Sequence, residues 1–256
     1  MDPHVYNTLI VSDLHLGAET SHAREATSLL KATRFQRLIL LGDIFADLNF
    51  ARLTKEHWKF LSYIRKLSNP KRRIEVVWVE GNHDHGLSDV MSHLVGIRVY
   101  DEYEWDFDGK RHLAVHGHQF DRFLTRNRVL SSFLSAVHLG LQKISFGKRR
   151  MMGFLERFDT AWLRLSAKVA RGALAHAHSL GADRVFCGHT HEALSLKCHG
   201  VEYYNSGSWT QDHPTYIAID AHGVRVRNFG EEPEWVEQEK KEEMELELEA
   251  IRSEQG

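Results

Sequence analysis

Short apolar runs punctuated by Gly, Asp and His dominate the first half of the chain. Thr8 to Val11, Leu38 to Leu41, Val76 to Val79, Leu113 to Val115 and Arg184 to Cys187 are apolar almost throughout, and a turn former or a candidate ligand follows each. Runs of this length, bounded in this way, read as buried strands. Further strands are expected at Glu102 to Phe107 and Arg111 to Val115, around the hairpin signal Asp108-Gly109, and at Val201 to Asn205, Thr215 to Asp220 and Val224 to Phe229. Residues 121–180 change period. Val129, Phe133, Leu134, Val137 and Leu141, then Phe154, Leu155, Phe158, Trp162, Leu165 and Val169, recur at helical spacing, with Gly147 expected to divide two helices.

The residues just past the strand runs carry the chemistry. The first run ends at Asp13-Leu14-His15, the second at Gly42-Asp43, the third at Gly81-Asn82-His83-Asp84, the fourth at His116-Gly117-His118 and the fifth at Gly188-His189-Thr190-His191. Side chains beyond the carboxyl ends of neighbouring strands converge in one crevice. Glycine at 42, 81, 117 and 188 lets the backbone turn sharply and approach closely there. Two divalent cations ~3.5–4 Å apart need one ligand with two free oxygens to bridge them and several terminal ligands. Asp13, His15, Asp43, Asn82, His116, His189 and His191 supply seven donors. Imidazole nitrogens suit Mn, Fe or Zn better than Mg or Ca.

Each string alone has a plain alternative. An isolated Asp-x-His can cap a strand end, and with 18 histidines in the chain some close pairs arise by chance. His57, His138, His176 and His178 lie in helical patterns and read as surface or packing residues. His118 can face a substrate or hydrogen-bond to a ligand from behind. The conjunction of five strings in order favours a metal site.

Composition sets limits. The 256 residues, 42% hydrophobic, are enough for one large domain, and four prolines give no stiff linker. No apolar run reaches the ~18 residues a membrane span needs, and the start Met-Asp-Pro-His-Val lacks the basic and apolar regions of a signal peptide. Two cysteines, Cys187 and Cys198, are too few for a disulfide framework, so a cytoplasmic location is expected. The net charge of −2 conceals an asymmetry. Residues 122–171 carry eleven Lys or Arg against Glu156 and Asp159, a net +9, while residues 231–256 carry eleven Glu against three basic residues, a net −8. The tail reads as an acidic helix or a disordered end. The basic insertion lies between His116 and His189, two candidate ligands, which pins both its ends at the mouth of the site. It is expected to act as a helical lid, with Arg126, Arg149 and Arg157 available to phosphate oxygens and its apolar stripe to acyl chains. Its charge would also draw the chain to the periphery of an anionic inner membrane. Nucleic acid is not expected, because the aromatic residues here repeat as core residues do rather than as a stacking platform.

In order, D-x-H, GD, GN-H-[DE], H and G-H-x-H over residues 13–191 resemble the signature of the calcineurin-like metallophosphoesterase superfamily. The resemblance implies that Asp13, His15 and His191 hold one metal and that Asn82, His116 and His189 hold the other, with Asp43 bridging. It implies His83 as general acid, with Asp84 orienting it. The helical insertion and the spacing from Asp13 to Asp43 to Asn82 are similar to the UDP-2,3-diacylglucosamine pyrophosphatase branch, whose best-known members carry Arg where this chain has His83. Ile44-Phe45-Ala46-Asp47 partly matches that branch, and Asn205-Ser206-Gly207-Ser208-Trp209 resembles a closing loop found across the superfamily. The expected fold is a four-layer α-β-β-α sandwich of two mixed sheets, with residues 1–230 as the phosphoesterase domain, 121–180 as the lid and 231–256 as the tail. The expected activity is hydrolysis of a phosphodiester or pyrophosphate bond, in a phosphorylated small molecule or a nucleotide-linked lipid, dependent on two divalent ions, manganese foremost. A general small-molecule phosphodiesterase or phosphatase is the alternative. A non-catalytic scaffold of the same fold would have no need for all seven donors together.

Overall fold

The computed structural model describes residues 5–86, 92–93, 96–120, 152–198 and 200–231, and the side chains of all of these except 152–164. Eleven strands are present among them: β1 (Val5–Val11), β2 (Arg34–Leu41), β3 (Glu75–Val79), β4 (Val99–Tyr100), β5 (Glu102–Phe107), β6 (Lys110–Val115), β7 (Arg184–Cys187), β8 (Ala193–Cys198), β9 (Val201–Ser206), β10 (Thr215–Asp220) and β11 (Gly223–Asn228). Every expected strand is found. At Asp108 and Gly109 the chain takes φ of 53° and 67°, the left-handed pair that a tight hairpin needs, and it joins β5 to β6 in the register Phe107↔Lys110. Strand β8 was not anticipated. It is the edge of its sheet, and its exposed Ser195 and Lys197 alternate with half-buried Leu194 and Leu196, so it shows no apolar run.

The strands form two mixed sheets, one ordered β11-β10-β1-β2-β3-β4 and one ordered β5-β6-β7-β9-β8. β1, β2 and β3 run parallel, as do β6, β7 and β9, so their carboxyl ends fall along one side of each sheet. The alternation of side chains explains why the central runs are apolar throughout. In β2, Leu38 and Leu40 pack outward under the helices α1 (Ala23–Ala32) and α2 (Lys55–Leu67), whereas Ile39 and Leu41 pack inward against Ala114 and Phe186 of the second sheet. A third cluster joins Leu113, Val115 and Val185 to the helix α3 (Met152–Leu180) through Ala170, Ala173 and Ala177. The three clusters define helix, sheet, sheet and helix layers.

Helices α1 and α2 turn only one stripe inward: Ala23, Ala26, Leu29 and Leu30 in the first, and Phe60, Leu61, Ile64 and Leu67 in the second. Thr54 caps α2 in a capping box with His57. The small residues of α3 bring it close to its sheet: a Cβ at Gly172 would lie 2.7 Å from the Cβ of Phe120. The part of α3 at residues 166–180, which falls within the expected lid, packs on the second sheet as an outer helical layer. The expected break at Gly147 and the acidic tail from residue 232 lie outside the described residues. Among the described residues, no helix is long and apolar enough to cross a membrane.

Candidate metal centre

The loops after β1 and β2 are zipped together by backbone hydrogen bonds from Asp13 N to Gly42 O at 3.0 Å, from His15 N to Asp43 O at 3.0 Å and from Leu16 N to Ile44 O at 2.7 Å. Within the second sheet, Gly188 N donates to His116 O at 3.1 Å, and across the sandwich Trp209 N of the closing loop donates to Asp13 O at 3.1 Å. Both sheets thus contribute to one crevice. Asp13, His15, Asp43, His189 and His191 all hold positive φ, between 46° and 67°. Only Arg73 and Asp108 share that trait among the other described non-glycine residues. Left-handed backbone costs on the order of 1–3 kcal/mol per residue and collects where geometry serves a site.

Three sets of donor atoms come within 4.8 Å of one another: Asp13, His15 and His191; His15, Asp43 and His83; and Asp43, His116 and His189. Asp43 belongs to two sets and joins the halves. Its Oδ2 lies 3.3 Å from His116 Nε2, and on the other side His191 Nε2 lies 3.1 Å from Asp13 Oδ1. His15 Nε2 and His191 Nε2 approach to 3.2 Å. Asn82 has a buried Oδ1 with no hydrogen-bond partner.

The second layer of contacts fixes which atom each ligand presents. His116 Nδ1 donates to Leu41 O at 2.9 Å, so Nε2 is the nitrogen turned toward Asp43. Asp13 Oδ2 accepts from Ser12 Oγ and, at 3.1 Å, from His189 N, while its Oδ1 has no hydrogen-bond donor. Asp43 Oδ1 accepts from His83 N at 2.8 Å. Buried polar atoms in folded proteins are almost always hydrogen-bonded. Asp13 Oδ1, Asn82 Oδ1, His116 Nε2 and His189 Nε2 are the exceptions gathered at this spot, and all four are metal-ligand types.

Electrostatics agree. Burial opposes charge on His116, yet the Asp43 carboxylate beside it prevails and raises its pKa to about 9. Burial would also raise Asp43, but His116 and His83 outweigh it and hold that carboxyl well below the usual range. Burial instead wins at His15 and His189 and lowers each to about 3, so both present neutral nitrogens. A field that favours positive charge beside neutral imidazoles and ionised carboxylates is one that divalent cations fit.

His83 stands at the rim. Its Nδ1 lies 2.7 Å from Ala46 O and its Nε2 lies 3.9 Å from Asp43 Oδ2. Burial lowers its pKa, but Asp43 and the Ala46 carbonyl more than compensate, and the net shift is upward. Asp84, whose charge also raises the His83 pKa, makes its hydrogen bonds to backbone amides. Its two oxygens accept from Ile44 N at 3.1 Å and Phe45 N at 2.9 Å, so it steadies the turn after Asp43, and the Ala46 carbonyl orients the His83 ring. Burial, with Asp43 nearby, raises Asp84 to about 6. Arg126 and Arg149 lie outside the described residues, and Arg157 sits in α3 with its side chain outside them.

Two supporting residues had no role in the sequence reading. Ser12 Oγ bonds Asp13 and, at 2.7 Å, Ser206 Oγ. Asn205 Nδ2 donates to Gly188 O at 2.7 Å and Thr190 Oγ1 at 3.1 Å, and its Oδ1 accepts from Gly207 N at 3.0 Å. Asn205 is fully buried and ties the His189-Thr190-His191 loop to the closing loop. The only signal for it was its place in the string 205–209.

The chain is similar to known proteins over most of its length. The UDP-2,3-diacylglucosamine hydrolase of Neisseria meningitidis is 23% identical over 243 residues, covering 84% of this chain and 94% of that protein. The protein of the same description from Neisseria gonorrhoeae is 23% identical over 242 residues, with the same coverage. Among solved structures, Yfce, a phosphoesterase from E. coli, is 15% identical, superposes with a TM-score of 0.51 and covers 87% of this chain and 93% of that one, so the fold is shared. The calcineurin-like phosphoesterase superfamily domain matches residues 7–223, and because that match contains every strand-end string of the centre, the chain belongs to this superfamily of phosphoester hydrolases.

Proposed function

We propose that the chain is a binuclear metal-dependent hydrolase of a phosphodiester or pyrophosphate bond. In this reading Asp13, His15 and His191 hold one divalent cation, Asn82, His116 and His189 hold the other, and Asp43 bridges. The observation that carries it is the sharing of Asp43 between donor sets, beside four buried ligand atoms that lack hydrogen-bond partners. The nitrogen-rich set suits Mn, Fe or Zn, and manganese is the ion tested first. Two such cations, when bound, lower the pKa of a water and neutralise charge on phosphoryl oxygens.

The chain's own groups complete the chemistry. The Asn82 amide reaches a phosphoryl oxygen. His83, with Nδ1 on the Ala46 carbonyl, keeps Nε2 for the leaving oxygen, and the upward shift of its pKa favours the protonated form a general acid requires. Asp84 holds the turn that carries Asp43.

For substrate, a nucleotide-linked lipid such as UDP-2,3-diacylglucosamine is supported by the named relatives over 84% of the chain and by the +9 insertion at residues 122–171. Residues 1–230 then form one catalytic domain, 121–180 an insertion that lays its C-terminal end on the second sheet and acts as a basic lid whose Arg126, Arg149 and Arg157 contact phosphate, and 231–256 an acidic tail. The protein would work in the cytoplasm at the inner membrane surface, without nucleic acid. A general small-molecule phosphodiesterase is the second reading, favoured by His83, whose ring at the rim can protonate any small leaving group.

The test is a screen of the manganese-loaded protein against UDP-2,3-diacylglucosamine in mixed micelles, cyclic nucleotides and aryl phosphodiesters, with elemental analysis alongside. Turnover of the lipid above the others supports the first reading, and turnover of the small diesters alone supports the second. Less than one transition metal per chain after loading defeats both.

A further inference from the structure

Two buried polar atoms beside the His116 and His189 half of the centre have no partner and no part in the metal scheme. His118 follows Gly117, and its ring centroid lies 5.6 Å from that of His116 and 6.4 Å from that of His189, yet its nitrogens belong to none of the three donor sets. Its Nδ1 is buried without a hydrogen bond. Ser166 on α3 is 5% exposed, and its Oγ is likewise unpartnered. A helical serine or threonine ordinarily bonds back to the carbonyl one turn earlier. Thr27 does so to Ala23 O at 2.8 Å and Ser28 to Arg24 O at 3.0 Å, but Ser166 does not.

The helix geometry puts Ser166 on the flank of the centre that carries His118. The buried stripe of α3 reads Ser166, Val169, Ala170, Ala173 and Ala177, polar only at its first member. Val169 marks the level of the centre: a Cβ built on Gly117 would sit 3.1 Å from Val169 Cγ1 and 3.7 Å from His189 Cβ. At the far end of the helix, Leu180 O accepts from Arg111 at the start of β6, so α3 rises toward the carboxyl ends of the strands in going from Leu180 to Met152. Ser166 precedes Val169 by three residues, about 4.5 Å higher along the axis and on the same face. The stripe turns polar where it passes the sheet and reaches the mouth of the site.

We infer that His118 and Ser166 form a subsite for the second phosphate of a diphosphate substrate, the group attached to the scissile phosphorus on the α3 side. The inference rests on the binuclear reading above and assigns residues to one flank of it. An imidazole N–H and a hydroxyl are neutral donors matched to phosphate oxygens, and an acyl chain would leave both unsatisfied. A buried polar atom without a partner costs about 1–3 kcal/mol. An occupant that brings oxygen acceptors removes that cost at two positions at once.

The experiment compares wild type, His118→Gln and Ser166→Ala, all loaded with manganese. Hydrolysis of UDP-glucose, a soluble diphosphate diester, is measured against bis(p-nitrophenyl) phosphate, and binding of non-hydrolysable methylenediphosphonate is measured against methylphosphonate by calorimetry. Each variant should reduce the preference for diphosphate over monophosphate in kcat/KM by about tenfold, roughly one lost hydrogen bond. It should weaken methylenediphosphonate binding by a similar factor and methylphosphonate binding far less. Equal losses on both substrates and both ligands would assign the two residues a structural role, and no change in either ratio would assign them to water; each result overturns the subsite. If the wild type hydrolyses neither substrate, the binding ratios alone decide the subsite, and metal content after loading decides the binuclear reading.

Discussion

Gly81→Ala tests the closest approach in the centre. A Cβ at Gly81 would fall 2.2 Å from Asp43 N and 2.3 Å from Asp43 Oδ1, where ordinary contact begins at 3.4 Å. The obstacle is backbone, so no rotamer relieves it, and the turns after β2 and β3 must part by roughly 1 Å. Overpacking of this kind costs about 1–3 kcal/mol. For a chain of this size that lowers Tm by roughly 2–12 °C. The same displacement stretches the bond from His83 N to Asp43 Oδ1, now 2.8 Å, and moves Asp43 away from Asn82. A 1 Å misplacement of reacting groups can cost ~10²-fold in rate. The assay is metal content by elemental analysis after dialysis against limiting manganese, with calorimetric Tm on the metal-free protein and kcat on an aryl phosphodiester. Gly86→Ala is the control, since Gly86 has φ of 85° but nothing within 4 Å of its added Cβ. It should lose about 1–2 kcal/mol to backbone strain and retain its metals. If Gly81→Ala binds two ions at wild-type affinity with unchanged Tm, Asp43 and Asn82 are not held together by this contact and the reasoning is wrong.

Asp43→Asn should reduce bound metal and lower turnover by orders of magnitude, because an amide offers one neutral oxygen where a bridge needs two anionic ones; full metal content would remove Asp43 from that role. His83→Ala should slow esters with poor leaving groups by ~10²–10⁴-fold and spare activated aryl esters, and equal loss on both would assign it to positioning. Replacing Arg149, Arg150 and Arg157 together by Ala should raise KM for a large phosphorylated lipid while kcat for a small aryl diester holds, as loss of uniform binding requires; an equal fall in both turnovers would make the segment structural. His112, stacked between Trp105 and Phe186, is lowered by burial from 6.5 to about 4. Between those values the unfolded chain binds the extra proton, so stability should fall as pH drops from 6.5 toward 4. His112→Leu should flatten that slope in denaturant titrations, and an unchanged slope would place the titration elsewhere.

The elements and the candidate donors were legible in the sequence because both follow from local chemistry. A strand buried on both faces must be apolar throughout, so Leu38 to Leu41 declares itself, and a ligand must lie where such a run stops, so Asp13, Asp43, Asn82, His116 and His189 could be read one string at a time. Edge strand β8 could not, since exposure on one face leaves it looking like a loop. Tertiary structure alone decided how the strings meet. It made Asp43 common to two donor sets, gave five of the candidate ligands left-handed backbone, and set the oxygens of Asp84 on the amides of Ile44 and Phe45. It also made fully buried Asn205 the tie between two loops and set the stripe of α3 against Gly117. Periodicity along a chain reports which side of an element is buried, but contact across a crevice depends on how two sheets register against each other. That registration is settled by the packing of all three apolar clusters at once, and no short string of residues carries it.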